Sequence, residues 1–257
     1  MRKIMLMMVL ALSFITLHAQ QTVTVRVMSM NVKEGGGYID HQSEPFSEVI
    51  RKYSPDVVAL QEVDWMTSRN GRKDWLNEVA FQTGMFPYYA KSFDYQGGGF
   101  GVALLSRYPF YKAKKAVYSN DNAREDRATG WIYVQLPGGG VIRVASTHLA
   151  VESSDIRVKQ FADFNMKFFA EDTSTPALLL GDFNDRPDSD LIAYVKNRWQ
   201  EIARGSGNTI PSSGPTTQLD YVMGYPKSWT WTSYQIIACP ELSDHCFIVA
   251  DLSITIE

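Results

Sequence analysis

Seven short stretches of the 257-residue chain place polar residues where apolar runs stop: Ser-Met-Asn31, Leu-Gln-Glu62, Leu-Ser-Arg107-Tyr-Pro, Thr-His148-Leu, Gly-Asp182-Phe-Asn184, Leu-Asp220-Tyr and Ser-Asp244-His245. Carboxylates and an amide oxygen are hard ligands of the kind a small divalent cation takes. Imidazoles exchange protons near neutral pH, and a carboxylate within hydrogen-bond reach of water can act as a general base. Taken singly, each residue has a plainer reading. Asn31 could satisfy backbone groups at a strand edge, and Glu62 could be a solvated carboxylate. His148 could be a hydrogen-bonded core residue, and Asp182 and Asn184 are ordinary turn formers. Their occurrence together, in this order, is what asks for a common explanation.

The ordered set closely resembles the endonuclease/exonuclease/phosphatase superfamily, the deoxyribonuclease-I-like fold, from Val23 to about Leu252. Gly-Asp-Phe-Asn and Ser-Asp-His are its most specific pieces. The resemblance implies hydrolysis of a phosphate ester, in which charge builds on the non-bridging and leaving oxygens and an oxygen-ligated cation offsets it. Glu62 is the first candidate to hold Mg²⁺, with Asn31 and Asp244 beside it and Mn²⁺ as a substitute ion. The family's base is the Asp of Gly-Asp-Phe-Asn, which implies Asp182, with Asn184 holding it and a phosphate oxygen. His245, oriented by Asp220, would stabilise charge developing at phosphorus. His148 would do the same from the other side or protonate the leaving oxygen. Arg127, in the run Arg124-Glu125-Asp126-Arg127, is a candidate phosphate clamp; a surface salt-bridge cluster is the alternative. Arg107 is expected to tie the Arg-Tyr-Pro turn to a sheet. Trp65, Tyr95 and the Trp229/Trp231 pair could stack on a ring, or simply pack in the core.

Such residues need strands to fix them. Strand-like runs occur at Thr22–Val32, Val57–Gln61, Tyr88–Ser92, Phe100–Ser106, Trp131–Gln135, Val141–Thr147, Ala177–Gly181, Leu219–Met223, Trp229–Ile237 and Cys246–Ile256. Helical periodicity appears after Ser43, a candidate N-cap, with Ser54-Pro55 as a stop, and between Asp74 and Gly84. It appears again after Ser153 or Ser154, with the stripe Val158, Phe161, Phe164 and Phe168, and from Ser189 through Val195 to Trp199. Pro137-Gly138-Gly139-Gly140 reads as a hairpin turn. Hairpins mixed with helical crossovers exclude a purely parallel sheet. The expected fold is therefore α+β: a four-layer α/β/β/α sandwich of two mixed β-sheets packed face to face, helices outside.

The first 19 residues have the layout of a secretory signal: Arg2-Lys3, an apolar run from Ile4 to Leu17, then His18-Ala19 before Gln20. The run is shorter than the ~20 residues that span a bilayer, although an uncleaved anchor is the alternative. An exported protein occupying residues 20–257 as one domain follows, periplasmic or extracellular. Of 25 basic and 28 acidic residues, Arg2 and Lys3 fall in the leader, so the remainder carries 23 basic residues and a formal charge of −5. That balance weighs against coating long nucleic acid, since Lys112-Lys114-Lys115 is the sole basic cluster, and no obligate nucleic-acid partner is inferred. Cys239 and Cys246 fit no zinc spacing; a disulfide between them is one expectation and a buried free thiol at Cys246 the other.

The expected function is hydrolysis of a phosphomonoester or phosphodiester. Leu180 before Gly-Asp and the Ser-Asp-His ending depart from the inositol-polyphosphate phosphatases, and no apolar hairpin suggests a sphingomyelinase. A secreted nuclease and a catalytically dead binding module are the alternatives. Substrate choice would lie in loops such as Asn31–Gln42, Asp94–Gly99 and Gly205–Gln218, whose lengths encode no ligand. The oligomeric state is not encoded in any pattern found.

Overall fold

The structure, a computed structural model, describes residues 21–118, 124–203 and 207–256. The segment read as a secretory signal lies outside the described residues, as does the start of the Gly205–Thr217 loop. In β1 (Gln21–Asn31), Val23, Val25 and Val27 enter one apolar cluster while Met28 and Met30 enter another. Side chains two apart share a face of a strand. The same alternation divides Val57 and Ala59 from Val58 and Leu60 in β2 (Val57–Trp65), and Leu178 and Leu180 from Ala177 and Leu179 in β8 (Ala177–Asp182). The strands are apolar on both faces because both are covered.

One sheet runs β11 (Thr230–Ile237), β12 (Phe247–Ile256), β1, β2, β4 (Gly98–Ser106), β3 (Phe86–Tyr95). The other runs β5 (Phe110–Tyr118), β6 (Arg127–Gln135), β7 (Val141–His148), β8, β10 (Asp220–Tyr225), β9 (Gln200–Ile202). Each sheet has one parallel pair, β1–β2 and β7–β8, flanked by antiparallel neighbours. Val27, Ala59, Val144, Leu180, Val222 and Ile248 share the core between the sheets. Outside the first sheet, α2 (Glu44–Tyr53) and α3 (Trp75–Thr83) bury Phe46, Ile50, Trp75 and Val79. Outside the second, α4 (Ser154–Glu171) and α5 (Asp190–Lys196) bury Phe161, Phe164, Phe168, Leu191 and Val195. This is the expected four-layer sandwich.

Asp74, Ser153 and Ser189 cap their helices by accepting the N–H of Asn77, Ile156 and Ile192, each satisfying a donor that the first turn leaves orphaned. Gly84, left-handed at φ 67°, closes α3. Two expectations need correction. Ser43 precedes α2 but does not cap it, because its hydroxyl accepts the Gln82 amide at 3.1 Å while donating to Glu78 at 2.9 Å. α5 stops at Lys196, and Trp199 leaves the helix to pack in the outer core just before β9 pairs with β10. Of the two readings of the cysteines, the buried free thiol holds for Cys246 and for Cys239 as well.

Two strands were not anticipated. β5 is an edge strand whose Lys112, Lys114 and Lys115 are exposed, charges that discourage pairing with another chain and mask any strand-like apolar run. β9 has three residues. The Pro137–Gly140 hairpin joins β6 to β7 as expected, and Arg107 donates to the carbonyls of Ser54 and Pro55, fastening its turn. No helix among the described residues is long and apolar enough to cross a membrane.

Candidate active site

Strand register brings the polar ends together. Asn31 pairs with Gln61 across β1–β2, His148 with Asp182 across β7–β8, and Asp220 with Asp182 across β8–β10. β12 begins just after His245 and runs antiparallel to β1, so the Asp244–His245 segment reaches the same rim. By parity, Asn31, Gln61, His148, Asp182 and Asp220 continue the faces that carry Val27, Ala59, Val144, Leu180 and Val222. The site is thus the polar end of the inter-sheet core. Beneath it, the Gln61 amide donates to the Ser146 hydroxyl at 3.1 Å and that hydroxyl donates to the Leu60 carbonyl at 2.9 Å, linking the sheets.

Two residues reach the rim through left-handed backbone. A bulge in β2 between Leu60 and Val63 puts Glu62 at φ 57°, and Asn184 lies at φ 52°. Bulges re-aim side chains, and such conformations persist only where surrounding contacts hold them. A third case is Gly181, at φ 143°, where a Cβ would lie 2.0 Å from the Thr147 carbonyl oxygen. Glycine there lets β8 approach β7 closely enough to set Asp182 beside His148.

Asp182 is the centre. Its Oδ1 accepts the Asn184 N–H at 2.8 Å, and its Oδ2 accepts the Asn31 amide at 3.2 Å. The same Oδ2 faces Nε2 of His148 at 3.6 Å and Nε2 of His245 at 3.7 Å. Burial, joined by the charges of Asp220 and Glu62, raises the Asp182 pKa to about 7, against the opposing pull of His245 and the Asn184 N–H. The histidines diverge. Burial disfavours the His245 imidazolium, but Asp220, 2.8 Å from Nδ1, and Asp182 outweigh it and raise its pKa to about 10. For His148, burial and then Arg127, His245 and Lys33 all favour the neutral ring. The Arg127 guanidinium donates to His148 Nδ1 at 3.2 Å, which leaves the ring proton on Nε2, facing Asp182.

The structure brings together Asn31, Glu62, Arg127, His148, Asp182, Asn184, Asp220 and His245. Asn31 donates its amide to Glu62 at 3.0 Å, while its oxygen accepts the Lys33 N–H. Asn184 turns its amide to the Leu149 carbonyl. Arg127 is buried and pairs with Glu125 at 3.3 Å, so it is no member of a surface salt-bridge cluster. Asp244 stands behind Lys33, whose ammonium it meets at 2.9 Å. Burial works against that ammonium, but Glu62 and Asp244 outweigh it and raise the Lys33 pKa. Of the aromatic candidates, Tyr95 lines the cavity, whereas Trp229 is core.

Glu62 and Asp244 fit a divalent cation: Asp244 pairs with the Lys33 ammonium, Glu62 lines the same cavity and acts on that ammonium through its charge, and Asp244 Oδ1 is buried without a hydrogen-bond partner. Asp182, Asp220 and His245 also offer ligand atoms within 4.8 Å of one another, but the short His245–Asp220 bond makes that group a proton-holding pair first. The cavity, of about 260 Å³, is lined by Lys33, Glu62, Arg127, His148, Asp182, Asn184 and His245 on one side. Glu34, Arg69, Phe93, Tyr95 and Phe100 form the other, and Glu125 and Val151 complete the lining. Of that second wall, only Tyr95 had been singled out. Arg69 gives no signal in sequence, because it lies in a loop and its partner Asp64, near the end of β2, precedes it by five residues, a spacing with no strand or helix period.

Among curated proteins no sequence matches this chain. Solved structures with the same fold include an endonuclease/exonuclease/phosphatase from Bacteroides vulgatus, with TM-score 0.76, 17% identity, and 90% of this chain and 98% of that one covered. A mannosyl-6-phosphatase from Bacteroides thetaiotaomicron VPI-5482 superimposes with TM-score 0.72 at 14% identity, over 89% of this chain and 99% of its own. The human Nocturnin catalytic domain with bound sulfate anion does so with TM-score 0.71 at 17% identity, over 92% and 97%. At these identities the likeness is one of fold. The family pattern described as Endonuclease/Exonuclease/phosphatase family matches residues 28–245, a span that starts before Asn31 and ends on His245, and the chain belongs to that family.

Proposed function

We propose that the protein is an exported, Mg²⁺-dependent phosphoesterase that hydrolyses a phosphomonoester or phosphodiester. The observation that carries this reading is a buried carboxylate, Asp182, held by the Asn184 N–H and flanked by one charged and one neutral imidazole. A base with a pKa near working pH combines a useful deprotonated fraction with real proton affinity. Asp182 takes one proton of the attacking water as the water oxygen bonds to phosphorus; the bond from phosphorus to the ester oxygen breaks, and that oxygen takes a proton from solvent to leave as the alcohol. The His245 imidazolium, kept charged by Asp220, stabilises negative charge gathering on the phosphoryl oxygens. Neutral His148 donates its Nε2–H to the same group, and Arg127 acts through it by fixing that tautomer. Asn31 spaces Glu62 from Asp182. A bound divalent cation, held by Glu62 and Asp244, would supply further charge neutralisation.

The lining sets four carboxylates, Glu34, Glu62, Glu125 and Asp182, against four cations, Lys33, Arg69, Arg127 and the His245 imidazolium, and so carries no positive excess. That balance favours a compact phosphate ester over a polynucleotide track, whose binding rests on phosphate neutralisation. The mannosyl-6-phosphatase of the same fold supports a monoester. The test is release of 4-nitrophenol from mono- and bis-(4-nitrophenyl) phosphate with Mg²⁺, with EDTA, and by Asp182→Ala with Mg²⁺. EDTA should abolish turnover, and Asp182→Ala should lower it by about 10²–10⁴-fold. Equal rates in all three would overturn the reading.

A further inference from the structure

The hydrolytic roles use one part of the cavity lining and leave the adjoining wall, Glu34, Arg69, Phe93, Tyr95 and Phe100, without a task. That wall is built rather than incidental. Arg69 is clamped by Asp64 through Nε at 2.6 Å and Nη2 at 2.9 Å, and Asp64 is fully buried and also accepts the Thr67 hydroxyl. The guanidinium lies 4.6 Å from the Tyr95 ring centre and 5.7 Å from that of Phe100, and Phe93 packs against both rings. A group held this way is fixed before any ligand arrives.

Glu34 meets Nη1 of Arg69 at 3.1 Å and remains 42% exposed. It reaches there from α1 (Lys33–Gly36), where Lys33, Glu34, Gly35 and Gly36 are successively left-handed, with φ of 45°, 56°, 65° and 84°. Residues with side chains seldom adopt that backbone, and here it turns Lys33 toward the phosphoryl end and Glu34 toward the other. Of five guanidinium N–H groups, two donate to Asp64, while Nη1 faces Glu34 as an ion pair, which leaves donors for a ligand. Glu34 keeps unused acceptor capacity. With Asp64 and Glu34 against Arg69, the wall carries one net negative charge.

Resting on the hydrolytic reading, we propose that this wall is the leaving-group subsite and that it selects neutral polyhydroxylated alcohols, so the preferred substrates are monophosphates of sugars or polyols. Hydroxyl groups find adjacent fixed donors and an acceptor, and the ring's C–H face finds aromatic surface. A second phosphate on the leaving group would meet Glu34. The cavity, about 260 Å³, lies at the small end of ligand sites, in keeping with a compact leaving group.

The test compares kcat/KM with Mg²⁺ for a hexose 6-phosphate, a hexose 1,6-bisphosphate and adenosine 5′-monophosphate. The wild type should prefer the hexose 6-phosphate over either by at least about ten-fold, since like-charge juxtaposition is strongly disfavoured. Glu34→Gln should shrink the monophosphate-to-bisphosphate ratio to about two, and Tyr95→Ala should raise KM for the hexose phosphate by about five-fold, more than it lowers kcat. An unchanged ratio in folded Glu34→Gln, or a wild-type preference for the nucleotide or bisphosphate, overturns the subsite while leaving the hydrolytic reading intact. Calorimetric binding of hexose 6-phosphate to Asp182→Asn reads the subsite without turnover. Binding that is weakened by Tyr95→Ala, in a protein whose wild type hydrolyses no ester, keeps the subsite and overturns the hydrolytic reading.

Discussion

Asp182 and His245 face each other at 3.7 Å, and their ionisations together set a window of pH. Asp182 must be ionised to accept a proton, which asks for pH above about 7. His245 must be protonated to stabilise the phosphoryl group, which asks for pH below about 10. The rate should rise through the first value and fall through the second. Asp220→Asn removes the anion that chiefly offsets burial at His245, so the upper limb should move to lower pH while the lower limb moves less. A profile whose upper limb stays in place would show that Asp220 does not hold the charge. Stability carries the same signature. His245 is protonated in both folded and unfolded chains below about pH 6.5, so its pairing contributes fully there and is lost as pH rises through the folded value. In EDTA, thermal melts of the wild type should exceed those of Asp220→Asn most near pH 6, with the gap closing toward pH 10.

Strands made the site legible because alternation fixes faces. Val23, Val25 and Val27 announce which side of β1 meets the other sheet, and the same parity carries Asn31 to the rim. What alternation cannot announce is a departure from it. Glu62 sits in a bulge, Glu34 sits in a left-handed turn, and Arg69 reaches back from a loop to Asp64 in β2, so the leaving-group wall stays hidden in the sequence except for Tyr95. Ser43 was misread for a related reason: its type suits a cap, but a tertiary partner, Glu78, takes its hydroxyl. The junction of β7 and β8 offers a direct test at this scale. In Gly181→Ala the new Cβ would lie 2.0 Å from the Thr147 carbonyl oxygen at a φ of 143°, so the strands must separate where His148 pairs with Asp182. Stability should fall by about 2 kcal/mol or more. Displacement of the base by even ~1 Å should cost about 100-fold in kcat/KM. Gly214→Ala, where a Cβ meets nothing within 4 Å, should leave stability within ~0.5 kcal/mol. Comparable losses in both variants would mean that close approach at Gly181 is not what positions Asp182.

Across the whole molecule, the two cysteines connect the proposed exported state to the site. An oxidising compartment favours disulfides, yet Cys239 and Cys246 are buried as free thiols. Burial pushes the Cys239 thiol up to about 11 and the Cys246 thiol upward as well, which suppresses the thiolate that would attack an oxidant. Both touch Ser212: its hydroxyl accepts the Cys239 N–H at 3.0 Å, and the Cys246 sulfur lies 3.8 Å from that hydroxyl. Ser212 in turn donates its N–H to the Asp244 carbonyl at 2.7 Å. Drawing the sulfurs together would therefore pull on the segment that presents Asp244 and His245. Protein purified without reductant should show no reaction with Ellman's reagent while native and two thiols per chain once denatured. Loss of those thiols in denatured, fully active protein would show that a bridge forms there without disturbing the rim, and that Ser212 does not couple the cysteines to the site.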